Sequence, residues 1–77
     1  MTTAEAGREP LARVLLVEDD PLTRDYLAEA IRHQPGLALQ AACADLQSAR
    51  AALLERAPDV LLSDLALPDG DGGDLIR

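Results

Sequence analysis

The sequence has no phenylalanine, no tryptophan and a single tyrosine, Tyr26. With so few aromatic rings it offers no stacking platform for bases or sugars. Cysteine occurs once, at Cys43, so no intrachain disulfide can form and nothing points to an oxidising compartment. A small apolar filler near a strand end is the expected role of that thiol. Basic residues are scarce: 7 Lys plus Arg against 14 Asp plus Glu leave a net charge of -7. A surface of that sign excludes nucleic-acid and anionic-membrane binding by this segment, and suits cations or a basic partner. No apolar run approaches transmembrane length, and Met1 to Pro10 is too polar to hold the core of a signal peptide. A cytosolic chain is expected. There is no internal repeat, and 77 residues allow one small domain at most.

What is present is an alternation of short apolar runs and amphipathic stretches. Residues 1–11 read as a flexible leader, broken by Gly7 and Pro10. Arg13 to Val17 is apolar, partly β-branched and too short for a core helix, so it reads as a strand. Glu18-Asp19-Asp20 must be a loop, because adjacent like charges are unfavourable inside an element. Asp20-Pro21 is a helix start, with Asp as N-cap and Pro in the first turn. That helix is expected to reach Gln34, with Leu22, Tyr26 or Leu27, Ala30 and Ile31 inward and His33 on the wet face, before Pro35-Gly36 ends it. Leu37 to Ala42 is a weaker strand. Asp45 caps a second helix, Leu46 to Ala57, with Leu46, Ala49, Leu53 and one of Ala52 and Leu54 inward. A third strand starts at Val60 and runs into Asp64, reading as buried on both faces. A loop from Leu67 to Gly73 follows, and Asp74 to Arg77 looks like the opening of a third helix. Strands alternating with helices imply right-handed crossovers and a parallel sheet covered on both faces.

In a parallel sheet all carboxyl ends lie along one edge, where open sheets of this type bind their ligands. If the first and third strands are neighbours, Glu18 and Asp19 stand beside Asp64 there. Alone, Asp64 reads equally well as a cap of the next turn. Three carboxylates in contact repel one another, and a hard divalent cation is the natural way to offset that. Magnesium takes one or two carboxylates plus waters and leaves positions for phosphate oxygens. A carboxylate beside such a cation can attack a phosphoryl group and form an aspartyl phosphate.

Leu15-Leu16-Val17-Glu18-Asp19-Asp20, followed by Leu62-Ser63-Asp64-Leu65-Ala66-Leu67-Pro68-Asp69-Gly70-Asp71-Gly72, closely resembles the receiver domain of two-component response regulators. The resemblance spans about Arg13 to Arg77 and makes residues 12–77 the receiver portion. It implies a flavodoxin-like fold, of sheet order 2-1-3 for the part present and 2-1-3-4-5 when complete. It implies Asp64 as phosphoacceptor, not an enzyme in its own right, charged by a histidine kinase. It implies Asp19 as the principal Mg2+ ligand, Glu18 as its companion acting mainly through water, and the Ala66 carbonyl as a further contact. Pro68 and Gly72 match the family's loop. The wording of that loop is similar to receivers joined to LuxR/NarL-type DNA-binding domains, which implies control of transcription through an output domain outside this segment.

The chain also departs from the pattern. The Thr or Ser that ends the family's fourth strand and the Lys that ends its fifth are missing. The third strand would carry an unpaired apolar edge, Val60 to Leu62, open to pairing. The expectation is therefore the N-terminal portion of a receiver, or two copies paired through that edge. Two other readings compete. The receiver-like fold could be an interaction module that takes no phosphate. The acids of Asp69-Gly70-Asp71-Gly72-Gly73-Asp74 resemble the start of a calcium loop, although Asp74 stands where Gly is needed and no bidentate Glu follows. A hydrolase is weaker still, since Ser48 and Ser63 have no credible histidine partner.

Overall fold

The computed structural model describes residues 11–76, and the expected leader therefore lies almost wholly outside the described residues. Strand β1 (Ala12–Val17) is followed by helix α1 (Pro21–Arg32), strand β2 (Leu37–Cys43), helix α2 (Leu46–Glu55) and strand β3 (Val60–Ser63). The three strands form a parallel sheet of order β2-β1-β3. Consecutive parallel strands need a crossover, and the two helices supply it, one on each face. The architecture is a flavodoxin-like α/β sheet: the alternation predicts its parallel strands, and the resemblance its order.

β1 is the centre of the molecule. Its side chains alternate between two cores. Leu15 and Val17, both wholly buried, pack on one face with Cys43, Leu46, Ala49 and Leu67. Val14 and Leu16 pack on the other with Ala28 and Ile31 of α1. Cys43 is the buried filler its spacing suggested.

Two expectations need correction. In α1 the buried stripe is Ala28 and Ile31 with Leu27 beside them, whereas Leu22 is 81% and Tyr26 74% exposed and Ala30 also faces solvent. The helix carries two apolar seams, and the sheet takes only one. β3 is not buried on both faces: it is an edge strand, and its residues Val60 and Leu62 are each 44% exposed. They lie beside Val14 and Leu16 in the ladder, on the face that α1 covers only in part. In α2 the inward set is as expected, Leu46, Ala49 and Leu53 with Ala52 as the fourth, and Leu54 faces solvent.

Beyond β3, the expected loop is more ordered. A minimal antiparallel hairpin forms from β4 (Ala66–Leu67) and β5 (Gly70–Asp71), and a 3-10 turn, Gly72–Ile76, replaces the expected opening of an α-helix. Leu67 is buried against Leu46, which ties the hairpin to α2.

Candidate functional site

The site is built where β1 and β3 leave the sheet. Parallel pairing sets Val17 against Ser63, so the next residues, Glu18 and Asp64, emerge side by side. The ladder continues one step further: Glu18 N–H donates to the Cys43 carbonyl at 2.9 Å and Asp64 N–H to the Val17 carbonyl at 3.0 Å. Backbone hydrogen bonds thus hold both acids at the carboxyl edge.

The acids of the first loop divide their work. Asp20 turns away and caps α1, its Oδ2 accepting from Thr23 N–H at 2.8 Å. That backbone hydrogen bond, with the Thr23 side chain, holds the Asp20 carboxyl below its ordinary value of 3.8. Glu18 and Asp19 remain at the edge with Asp64. Each of the three offers one carboxylate oxygen, and those oxygens all lie within 4.8 Å of one another. Glu18 and Asp64 are half-buried and Asp19 is exposed. Arg24 braces the loop from behind, its Nη1 donating to the carbonyls of Glu18 at 3.1 Å and Asp19 at 3.5 Å. An open groove of about 350 Å³ runs from Leu27 and Leu62 to Glu18 and Asp64.

Two of the carboxylates are oriented by their own loops. One Glu18 oxygen accepts from Asp20 N–H at 3.1 Å, and Asp64 Oδ1 accepts from Ala66 N–H at 3.0 Å. Gly72 closes the site from below. A Cβ built there would collide with the Asp64 carbonyl and the Ser63 hydroxyl, so only glycine fits.

Hard oxygen donors in this arrangement suit Mg2+. At ligand distances near 2.1 Å an octahedral ion spans at most about 4.2 Å between two oxygens. A spread of up to 4.8 Å closes with a small rotation of one side chain or with one bridging water. Asp69 and Asp71 do not join this cluster: Asp69 accepts from Leu46 and Gln47 N–H, and Asp71 from Gly73 N–H. Asp69 and Asp71, two acids of the loop that resembles a calcium site, are thus committed to the backbone. His33 sits on the exposed face of α1 against Glu29, far in role from either serine: Ser48 bonds Asp45 and Ser63 the Asp64 carbonyl.

A doubly wound parallel sheet with carboxylates converging at its carboxyl edge defines a class, the open α/β domains that take their ligand at the switch in winding. Within that class the family model of the response regulator receiver domain matches residues 14–77, and the chain belongs to that family. It is 39% identical over 67 residues to protein-glutamate methylesterase/protein-glutamine glutaminase 2 of Anaeromyxobacter dehalogenans (strain 2CP-C), covering 87% of this chain and 20% of that protein. To the enzyme of the same name from the group 3 operon of Cereibacter sphaeroides it is 38% identical over 77 residues, again across 20% of the relative. The chain thus spans about a fifth of the length of these relatives. Among solved structures it resembles a LuxR-family two-component response regulator from Aurantimonas sp. SI85-9A1, with a TM-score of 0.76 and 36% identity, covering 83% of this chain and 46% of that one.

Proposed function

We propose that this chain is a phosphoacceptor: a histidine kinase passes its phosphoryl group to Asp64 in a Mg2+-dependent step of two-component signalling in the cytoplasm. The observation that carries the reading is convergence. Glu18 and Asp19 leave β1, Asp64 leaves β3, and a carboxylate oxygen of each falls within 4.8 Å of the others. In the transfer, a carboxylate oxygen of Asp64 forms a bond to phosphorus while the bond from phosphorus to the donor's histidine nitrogen breaks. The Ala66 amide holds Asp64 Oδ1, which leaves Oδ2 to act as the nucleophile. Glu18, Asp19 and Asp64, with the carbonyl of Ala66, would hold the metal, which when bound offsets charge on the transferring group. The receiver acts here as a signalling domain, and any self-catalysed loss of phosphate is secondary. The sequence has no lysine, so no ammonium to grip the phosphoryl group comes from these residues.

The test is uptake of phosphate. Incubation with acetyl phosphate and Mg2+ should add one phosphoryl group, read by intact-mass spectrometry. Asp64→Asn, or removal of Mg2+ by a chelator, should abolish the gain. Uptake that survives Asp64→Asn overturns the assignment, and no uptake by the unaltered protein favours an interaction module instead.

For the output, we propose control of transcription through a DNA-binding domain, supported by the likeness to a LuxR-family regulator. A methylesterase output is the second reading, supported by the names of the relatives. Binding to DNA after phosphorylation, set against ester hydrolysis, separates the two in the protein that the whole reading frame encodes. We also propose that residues 12–77 are the receiver portion of the chain, and that the open edge of β3 pairs with a further strand, from a second copy or from elsewhere.

A further inference from the structure

We propose that Asp69 is a positioning residue for the Asp64 site, clasping the first amides of α2 and so fixing the hairpin that carries Ala66. The inference rests on the phosphoacceptor reading and adds a residue to it. The β4–β5 hairpin has two residues in each strand, too few to hold a shape alone. Yet it begins two residues after Asp64, and the Ala66 amide is what orients Asp64 Oδ1. Its geometry must therefore be set from outside.

The anchor is α2. The first amides of a helix have no partner within it. Asp45, the N-cap, takes Ser48 N–H at 2.8 Å. Leu46 and Gln47 N–H are taken by a residue more than twenty positions away: Asp69 Oδ1 accepts from Leu46 at 2.8 Å and Asp69 Oδ2 from Gln47 at 3.1 Å. Both oxygens of the carboxylate are used, and a negative charge is favoured at this end of a helix. Beside the clasp, Gly70 adopts φ +149° with Leu46 so close that a Cβ there would strike its side chain, and Leu67 is buried in the same cluster. Hairpin and helix are thus one body. Any displacement of the loop after Asp64 is passed to α2 through Asp69, and any displacement of α2 returns to the site by the same route.

The test compares two caps of one helix in the full chain. Asp69→Ala should weaken Mg2+ binding, read by calorimetry, by roughly ten- to a hundredfold, as loss of a residue that orients ligands does. It should also slow phosphorylation by acetyl phosphate. Asp69→Asn keeps one carbonyl acceptor and should fall between. Asp45→Ala removes the ordinary cap and leaves the hairpin held, so it should lower the melting temperature with Mg2+ affinity unchanged. Equal Mg2+ affinity in Asp69→Ala and the unaltered protein overturns the proposal, as does equal weakening by Asp45→Ala. If Asp69→Ala does not fold, the decision passes to Asp69→Asn, and Mg2+ affinity identical to the unaltered protein overturns the proposal. Failure of the phosphoacceptor reading looks different: the unaltered protein would take up no phosphate, or Asp64→Asn would still take it up.

Discussion

Gly72 shows how narrowly one residue can be specified by its neighbours. Its amide donates to the Leu65 carbonyl at 3.0 Å, and the space a side chain would fill belongs to the Asp64 carbonyl and the Ser63 hydroxyl. Gly72→Ala should cost about 1–3 kcal/mol through overpacking, measured by chemical denaturation. It should also slow phosphate uptake, because the atoms that must move belong to Asp64. A variant that keeps both stability and uptake rate would show that the contact is relaxed elsewhere. Gly72 was legible in the sequence only as part of a loop motif. That Glu18, Asp19 and Asp64 meet was legible only from the two acidic strand ends taken together, since Asp64 alone reads equally well as a turn cap. The clasp by Asp69 could not: its partners are backbone amides far along the chain, and amides leave no mark in a sequence.

At the scale of the element, both helices start on an aspartate, and both caps were readable because capping is local chemistry. Asp45 is held below its ordinary value of 3.8 by hydrogen bonds from the Ser48 side chain and amide, and Asp20 below the same value by those of Thr23. The direction fixes a pH dependence. A carboxyl with a lowered native pKa binds its proton more weakly folded than unfolded, so its contribution is complete above 3.8. It is lost as pH falls from there through the lowered native value. Thermal melts followed by circular dichroism should therefore hold steady at neutral pH and fall in this acid window. Asp20→Asn and Asp45→Asn together should flatten that fall, and an unchanged fall would assign it to other carboxylates. Orientation of α1 was less legible than its ends. Leu22, Tyr26 and Ala30 form one apolar seam and Leu27, Ala28 and Ile31 another, and periodicity does not say which seam the sheet will accept.

At the scale of the whole molecule, the described sheet has β1 paired on both sides and an open edge at β3. Val60 and Leu62 put apolar side chains on that strand, each 44% exposed. Such an edge is a template for pairing with another chain, while a net charge of -7 opposes the approach of a second copy. Self-association should thus rise with salt as repulsion is screened, read by sedimentation velocity. Val60→Lys should suppress it without touching the acids. Loss of association on adding salt would point to ion pairs instead. The parallel sheet was legible from the alternation of elements, because right-handed crossovers leave few arrangements, whereas the order 2-1-3 came from the resemblance to receiver domains. How completely β3 is covered was not, since an apolar strand looks the same in a sequence whether its flank is paired or bare.

The two supports of the acid cluster are not equally stiff. Glu18 and Asp19 hang from a strand laced to neighbours on both sides, and Asp64 from one laced on a single side. An edge strand held along one flank opens more easily than a central one. Protection against hydrogen exchange should therefore run lower at Asp64 than at Glu18, and the acid cluster straddles a boundary between a firm and a yielding part of the sheet.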